Sequence, residues 1–173
     1  MMQSIFDRIA KHGLTDWAVV LQGVSGIPSH SGRLPPSCVE SFANTELEKV
    51  AADDPLLDVI VSLAGDSDLP TSELNPQLQK MCAYKNSDIQ RAKRIWRAMA
   101  LEEVLANLDS DPLYGLINLS VFWSSWDWPV DAPPSMLSGA KTLPEHDYHS
   151  ASNYDHVIRE HEEWLKDEIA VLT

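Results

Sequence analysis

Apolar positions recur along this chain at three- and four-residue intervals, and sustained alternation is absent, so the pattern predicts helices and no strand. Ser4 leads into Ile5, Phe6, Ile9 and Ala10, with Gly13 as a stop. Thr15 is placed to cap a short helix through Trp17, Val20 and Leu21, ending at Gly23. The Gly-, Ser- and Pro-rich stretch 25–36 reads as a loop. Ser37 with Glu40 forms a capping-box pattern before Val39, Phe42, Ala43, Leu47 and Val50. Asp54-Pro55 opens a helix carrying Leu56, Leu57, Ile60, Leu63 and Ala64, closed by Gly65 and followed by a polar loop over 66–70. Asn75-Pro76 then starts a short helix with Leu78, Met81 and Cys82.

Ser87 with Gln90 is a second capping-box pattern and opens the longest predicted helix, through Ile89, Ala92, Trp96, Met99, Val104, Leu105 and Leu108. Asp111-Pro112 starts the next, with Leu113, Leu116, Ile117 and Trp123 as its apolar face. Residues 127–144 hold four prolines and a glycine and read as a long ordered loop, with Trp126, Trp128, Val130 and Met136 to bury. Ser152 is placed to cap a final helix through Tyr154, Val157, Ile158, His161, Trp164, Leu165 and Ile169. The expected fold is all-α: a single domain over residues 1–173, built as a bundle or short helical-repeat stack of about seven helices with a long Pro-rich ordered loop. The two Asp-Pro-Leu starts, at Asp54 and Asp111, are what suggest a repeat.

Charge changes this picture from a generic bundle to one with a preferred kind of partner. Thirteen Lys and Arg against 26 Asp and Glu give a net charge of −13. Such a field disfavours nucleic acid and anionic membranes and attracts basic proteins. The charges are segregated. Residues 34–79 hold nine acids and only Lys49 as a base, and 98–140 hold six acids and no base. Between them lies a basic island of Lys80, Lys85, Arg91, Lys93, Arg94 and Arg97, interrupted by Asp88 alone. The island serves either nucleic acid or, more in keeping with the net charge, internal ion pairs.

The stretch Phe122-Trp123-Ser124-Ser125-Trp126-Asp127-Trp128-Pro129 is the most unusual. It either pins the following loop to the core or displays aromatic anchors in an acidic setting, a composition suited to an interface with a basic partner. The expected contact residues are Glu40, Glu46, Glu48, Asp53, Asp58, Asp66 and Asp68 in the acidic segment, and Trp126, Asp127, Trp128 and Asp131 in the aromatic one.

Candidate chemistry is sparse. His146, His149, His156 and His161 cluster late, with Glu145, Asp147 and Asp155 nearby, but His156 and His161 are five residues apart, on different faces of a helix. His161 falls on the apolar stripe and reads as a core histidine. The chain has no Gly-x-Ser-x-Gly elbow and no phosphate-binding glycine loop. Cys38 and Cys82 stand alone, as reduced core thiols do. The expectation is therefore a cytoplasmic protein, not an enzyme, with no cofactor and no resident metal.

Taken in order, Asp53-Asp54-Pro55-Leu56, Arg94-Ile95-Trp96, Asp111-Pro112-Leu113, the Trp/Pro stretch and Glu162-Glu163-Trp164-Leu165 resemble a family of small, acidic, uncharacterised bacterial proteins. Some of its members look like immunity proteins of polymorphic toxin and contact-dependent growth-inhibition systems. The resemblance implies a protein that neutralises a cognate toxin domain, such as a basic nuclease, and implies no catalytic residues. The alternatives are a helical adaptor or regulatory subunit and, third, a metal-dependent hydrolase using His146 and His149.

Overall fold

The computed structural model describes residues 2–65, 69–137 and 143–173, with the side chain of Glu145 excepted. Among them are ten helical segments and no strand. They are α1 (Met2–Lys11), α2 (Trp17–Ser25), α3 (Pro36–Leu47), α4 (Leu57–Gly65), α5 (Thr71–Lys85), α6 (Ile89–Ala106), α7 (Pro112–Ser125), α8 (134–137), α9 (Glu145–Tyr148) and α10 (Ala151–Leu172). The all-α expectation holds; the count of about seven does not. The longest helix is α10, with 22 residues, and not α6, with 18.

The chain divides into two compact units, Met1–Trp96 and Arg97–Thr173. In the first, α3 packs on α4, and α5 packs on α2 and α4. Its core gathers Ile5, Ile9, Ile60, Leu63, Leu78, Met81 and Trp96. The Trp96 ring stacks on Phe6, and its indole N–H donates to the Val19 carbonyl at 2.8 Å. Gly23 makes this possible: a Cβ there would stand 2.6 Å from the Trp96 ring. Gly23 is thus an interior residue of α2 and not its stop. The helix runs on to Ser25 and ends at Gly26, whose φ of 99° only glycine adopts readily. The following loop is pinned by buried Ile27 and Leu34 and by the Leu34 amide, which donates to the Gly23 carbonyl.

In the second unit α10 packs on α7 and α9. Gly115 of α7 plays the same part as Gly23. Its missing side chain leaves room for Tyr154, whose hydroxyl would lie 1.9 Å from a Cβ and donates instead to the Asp109 carbonyl.

Several helix starts differ from the sequence expectation by a residue or two. Asp16, not Thr15, caps α2, its carboxylate accepting from Val19 N–H at 2.8 Å. Asp88, not Ser87, accepts from the Gln90 and Arg91 amides ahead of α6. Ser150, not Ser152, caps α10. α1 already runs from Met2, ahead of Ser4. α3 begins on Pro36 with no side-chain cap, so Ser37–Glu40 is not a capping box. α5 begins at Thr71, and Pro76 lies inside it instead of starting it.

The two Asp-Pro-Leu motifs are not equivalent. Asp111 caps α7 with Pro112 in its first turn, whereas Pro55 sits in a turn ahead of α4. Leu56 is buried and Leu113 is exposed. Residues 127–144 are not one long loop either. Pro134 starts α8, as proline suits a first helical position, and Met136 within that helix is buried. Val130 and Trp128, expected inside, are exposed. Residues 138–142 of that stretch, and most of the expected polar loop over 66–70, lie outside the described residues.

Candidate partner-binding surface

The expected contact residues fall in both units. In the first unit, Glu40 and Glu46 are half-buried on α3, while Glu48, Asp53 and Asp58 are exposed. Glu46 is paired with Lys49 at 2.8 Å. Asp66 and Asp68 lie outside the described residues. Asp54 is committed to structure: it accepts from Leu56 N–H and from Lys85 at 3.1 Å, and these two bonds hold its carboxyl below the usual range. A surface hollow of about 330 Å³ takes in Glu46 beside Phe6, Phe42 and Thr45.

Three of the six bases of the island have internal acidic partners. Lys85 goes to Asp54, Arg91 lies 3.4 Å from Asp16, and Arg97 of the second unit goes to Asp131.

That last pair anchors the aromatic segment. Arg97 is 8% exposed, and its guanidinium lies 5.2 Å from the Trp164 ring and 5.9 Å from the Trp123 ring, over their faces. Its two terminal nitrogens grip both oxygens of Asp131, a planar fork that lysine could not supply, and one lies 3.7 Å from buried Glu168. The Trp164 indole donates to the Asp131 carbonyl. Asp131 is therefore an anchor of the segment. Beyond it, the Ser135 amide donates to Glu160 at 3.1 Å.

The other end is fixed by α7. Trp123 is wholly buried, edge-on to both Phe122 and Trp164, and its indole donates to His161 Nε2 at 2.8 Å. Since Nε2 accepts, the proton of this imidazole sits on Nδ1, which donates to the Val157 carbonyl at 2.7 Å. Burial pushes His161 below its ordinary value, against the Val157 bond and the Glu160 carboxylate, which raise it. His161 is thus the core histidine its position in the apolar stripe suggests. Trp126 is half-buried against Phe122.

Between these anchors the backbone takes a costly path. The Trp126, Asp127 and Trp128 amides turn back onto the Trp123 and Ser124 carbonyls, ending α7. Asp127 and Trp128 have φ of 59° and 46°, the left-handed region, which costs on the order of 1–2 kcal/mol for a residue with a side chain. The result is a fixed turn that exposes Asp127, Trp128 (39%) and Val130 (96%).

Sequence reasoning missed one surface. Leu113 and Ile117, expected in the core, are exposed, and with Tyr114 and Val121 they line the outward face of α7 at 41–64% exposure. The core side is Gly115, Leu116, Leu119, Phe122 and Trp123. The signal was present: α7 contains no charged residue at all, which is a helix apolar on both faces.

The late histidines do not converge. His146 lies 3.2 Å from Asp147, His156 lies 3.4 Å from Glu160, and His149 stacks edge-on to Tyr148. Among the described residues no group of three His, Cys, Asp or Glu side chains could hold a metal ion. No helix among them is long and apolar enough to cross a membrane.

The described residues thus form an all-helical, acidic chain. It belongs to the DUF2247 family, described as uncharacterised proteins conserved in bacteria, whose pattern matches residues 6–169. No curated protein and no solved structure matches the chain.

Proposed function

We propose that this protein is an immunity protein: a cytoplasmic inhibitor that captures a cognate basic toxin domain, such as a nuclease, by protein–protein contact. The observation that carries the reading is the turn Trp126–Asp131. Arg97 holds one end and Phe122 packs on the other, and the strained turn between them keeps Trp128 and Asp127 outward before any partner arrives. An aromatic anchor already ordered loses little freedom on binding. The exposed carboxylates Glu48, Asp53 and Asp58, with the net charge of −13, would speed encounter with a cationic surface.

The test is binding to the C-terminal domain encoded by the gene immediately upstream, at low and high salt. Nanomolar affinity that weakens with salt, and that falls about thirtyfold in Trp128→Ala, is the expected result. Absence of binding at micromolar concentration, or tight binding indifferent to both salt and Trp128→Ala, would overturn the reading.

A further inference from the structure

The other large exposed apolar residues of the chain include Val61, Tyr84, Leu143 and Val171, which stand on separate elements, as isolated surface hydrophobes ordinarily do. On α7 they are organised. Leu113, Ile117 and Val121 follow one another at i, i+4 and i+8, and Tyr114 lies beside them. They run over two turns, about 12 Å. The stripe has the length and spacing of one side of a helix-in-groove contact.

We infer that this outward face of α7 docks an apolar, cation-flanked segment of a basic protein. The inference rests on the binding role proposed above and adds to it a second apolar contact, on a surface other than the Trp128 turn. Charge selects the occupant. Asp109 and Asp111 stand at the start of α7 and Asp127 just past its end, all exposed, and no lysine or arginine occurs between Ala98 and Ala140. An apolar strip acidic at both ends complements an apolar segment with basic ends. A second copy of the chain would set these acids against each other, and an anionic bilayer would meet the same repulsion.

The probe is an amphipathic Leu/Lys peptide about four turns long, compared with its Leu/Glu counterpart by fluorescence anisotropy. The full-length chain is used as wild type, as Ile117→Ser/Val121→Ser, as Tyr114→Lys and as Trp128→Ala. The expected result is binding of the Leu/Lys peptide, weakened at least about tenfold by the Ser pair and by Tyr114→Lys, and little changed by Trp128→Ala. Tyr114→Lys serves as the second variant should the Ser pair disturb the helix, as circular dichroism would show. Equal binding by wild type and both α7 variants overturns the inference, as does equal preference for the Leu/Glu peptide. Self-association of the wild type that the Ser pair abolishes would overturn it in favour of a second copy, and binding to anionic vesicles in favour of a membrane. Loss in Trp128→Ala alone would overturn it while leaving the proposed function standing. Failure of the proposed function is read separately, from the upstream-encoded domain.

Discussion

Replacing His161 by leucine removes the only hydrogen bond shown for the Trp123 indole, in a place where both side chains are 0% exposed. Leucine is close in volume, so the cavity is small. The Val157 carbonyl also loses the imidazole donor, but as an interior carbonyl of α10 it keeps its helical bond. What remains is a buried N–H without an acceptor, worth about 1–3 kcal/mol. His161→Leu should therefore lower the unfolding free energy by about 2 kcal/mol at neutral pH. Trp123→Phe should cost a similar amount, about 2 kcal/mol, through the lost ring volume. The double variant should be more stable than the sum of the two predicts, by about 1 kcal/mol, because neither polar group is then left alone.

Acid adds a second signature. His161 is held below its ordinary value of 6.5, so the unfolded chain takes up the proton first. The stabilisation is full above that value and is lost as pH falls below it, at up to about 1.4 kcal/mol per pH unit until the folded-state value is reached. Urea unfolding followed by tryptophan emission, from about pH 8 to about pH 5, reads both effects. The reasoning is refuted if His161→Leu lies within about 0.5 kcal/mol of wild type, if the cycle is additive, or if the variant keeps the wild-type acid slope between those limits.

Gly115→Ala should destabilise by about 1–3 kcal/mol despite alanine's better helix propensity, because its Cβ collides with the Tyr154 ring; thermal melts should show the penalty vanish in a Tyr154→Ala background. Arg97→Met should cost about 3 kcal/mol or more, since buried Glu168 loses its cation, whereas Asp131→Asn, at a half-exposed carboxylate, should cost under about 1 kcal/mol; denaturant midpoints separate the two. Burial raises both thiols, Cys82 to about 11, with the carboxylates of Asp7 near Cys38 and Asp16 near Cys82 adding to it. Iodoacetamide at mildly alkaline pH should therefore label neither thiol in the folded protein and both in urea, as mass spectrometry would register.

The apolar stripes of α1, α4 and α10 were legible because each has one buried face, and His161 could be placed in the core from the last of them. Asp111-Pro112 was legible as a capping acid followed by proline, but the same pair at Asp54-Pro55 makes only a turn ahead of α4, so the motif alone does not fix a start. Three of the capping errors have one cause. Thr15 and Asp16, Ser87 and Asp88, Ser150 and Ser152 are each neighbouring pairs of competent caps, and the register of the core residues behind them decides between them. Pro76 misled because it lies near the start of α5 on an exposed face, where the carbonyl it leaves without a helical partner meets water.

Gly23 could not be told from a stop, because its partner Trp96 is 73 positions away. The phase of α7 could not be read because both its faces are apolar, so Leu113 and Ile117 passed for core and the outward stripe went unseen. In the aromatic segment the residue types were legible and their roles were not. Nothing local says that Asp131 is held by Arg97, or that Asp127 and Trp128 turn left-handed.

Gly23 and Gly115 have a consequence for how this sequence can drift. Glycine is among the poorest helix formers, and each of these sits in the interior of a helix. Any procedure that improves helices by local preference, including selection on isolated segments, would replace both first. Each replacement would strengthen its own helix and evict an aromatic ring contributed by a distant one. The two least helix-favouring interior positions of α2 and α7 are therefore among the least free to vary, and lineages that lose either glycine should also have exchanged its partner, Trp96 or Tyr154, for a smaller residue.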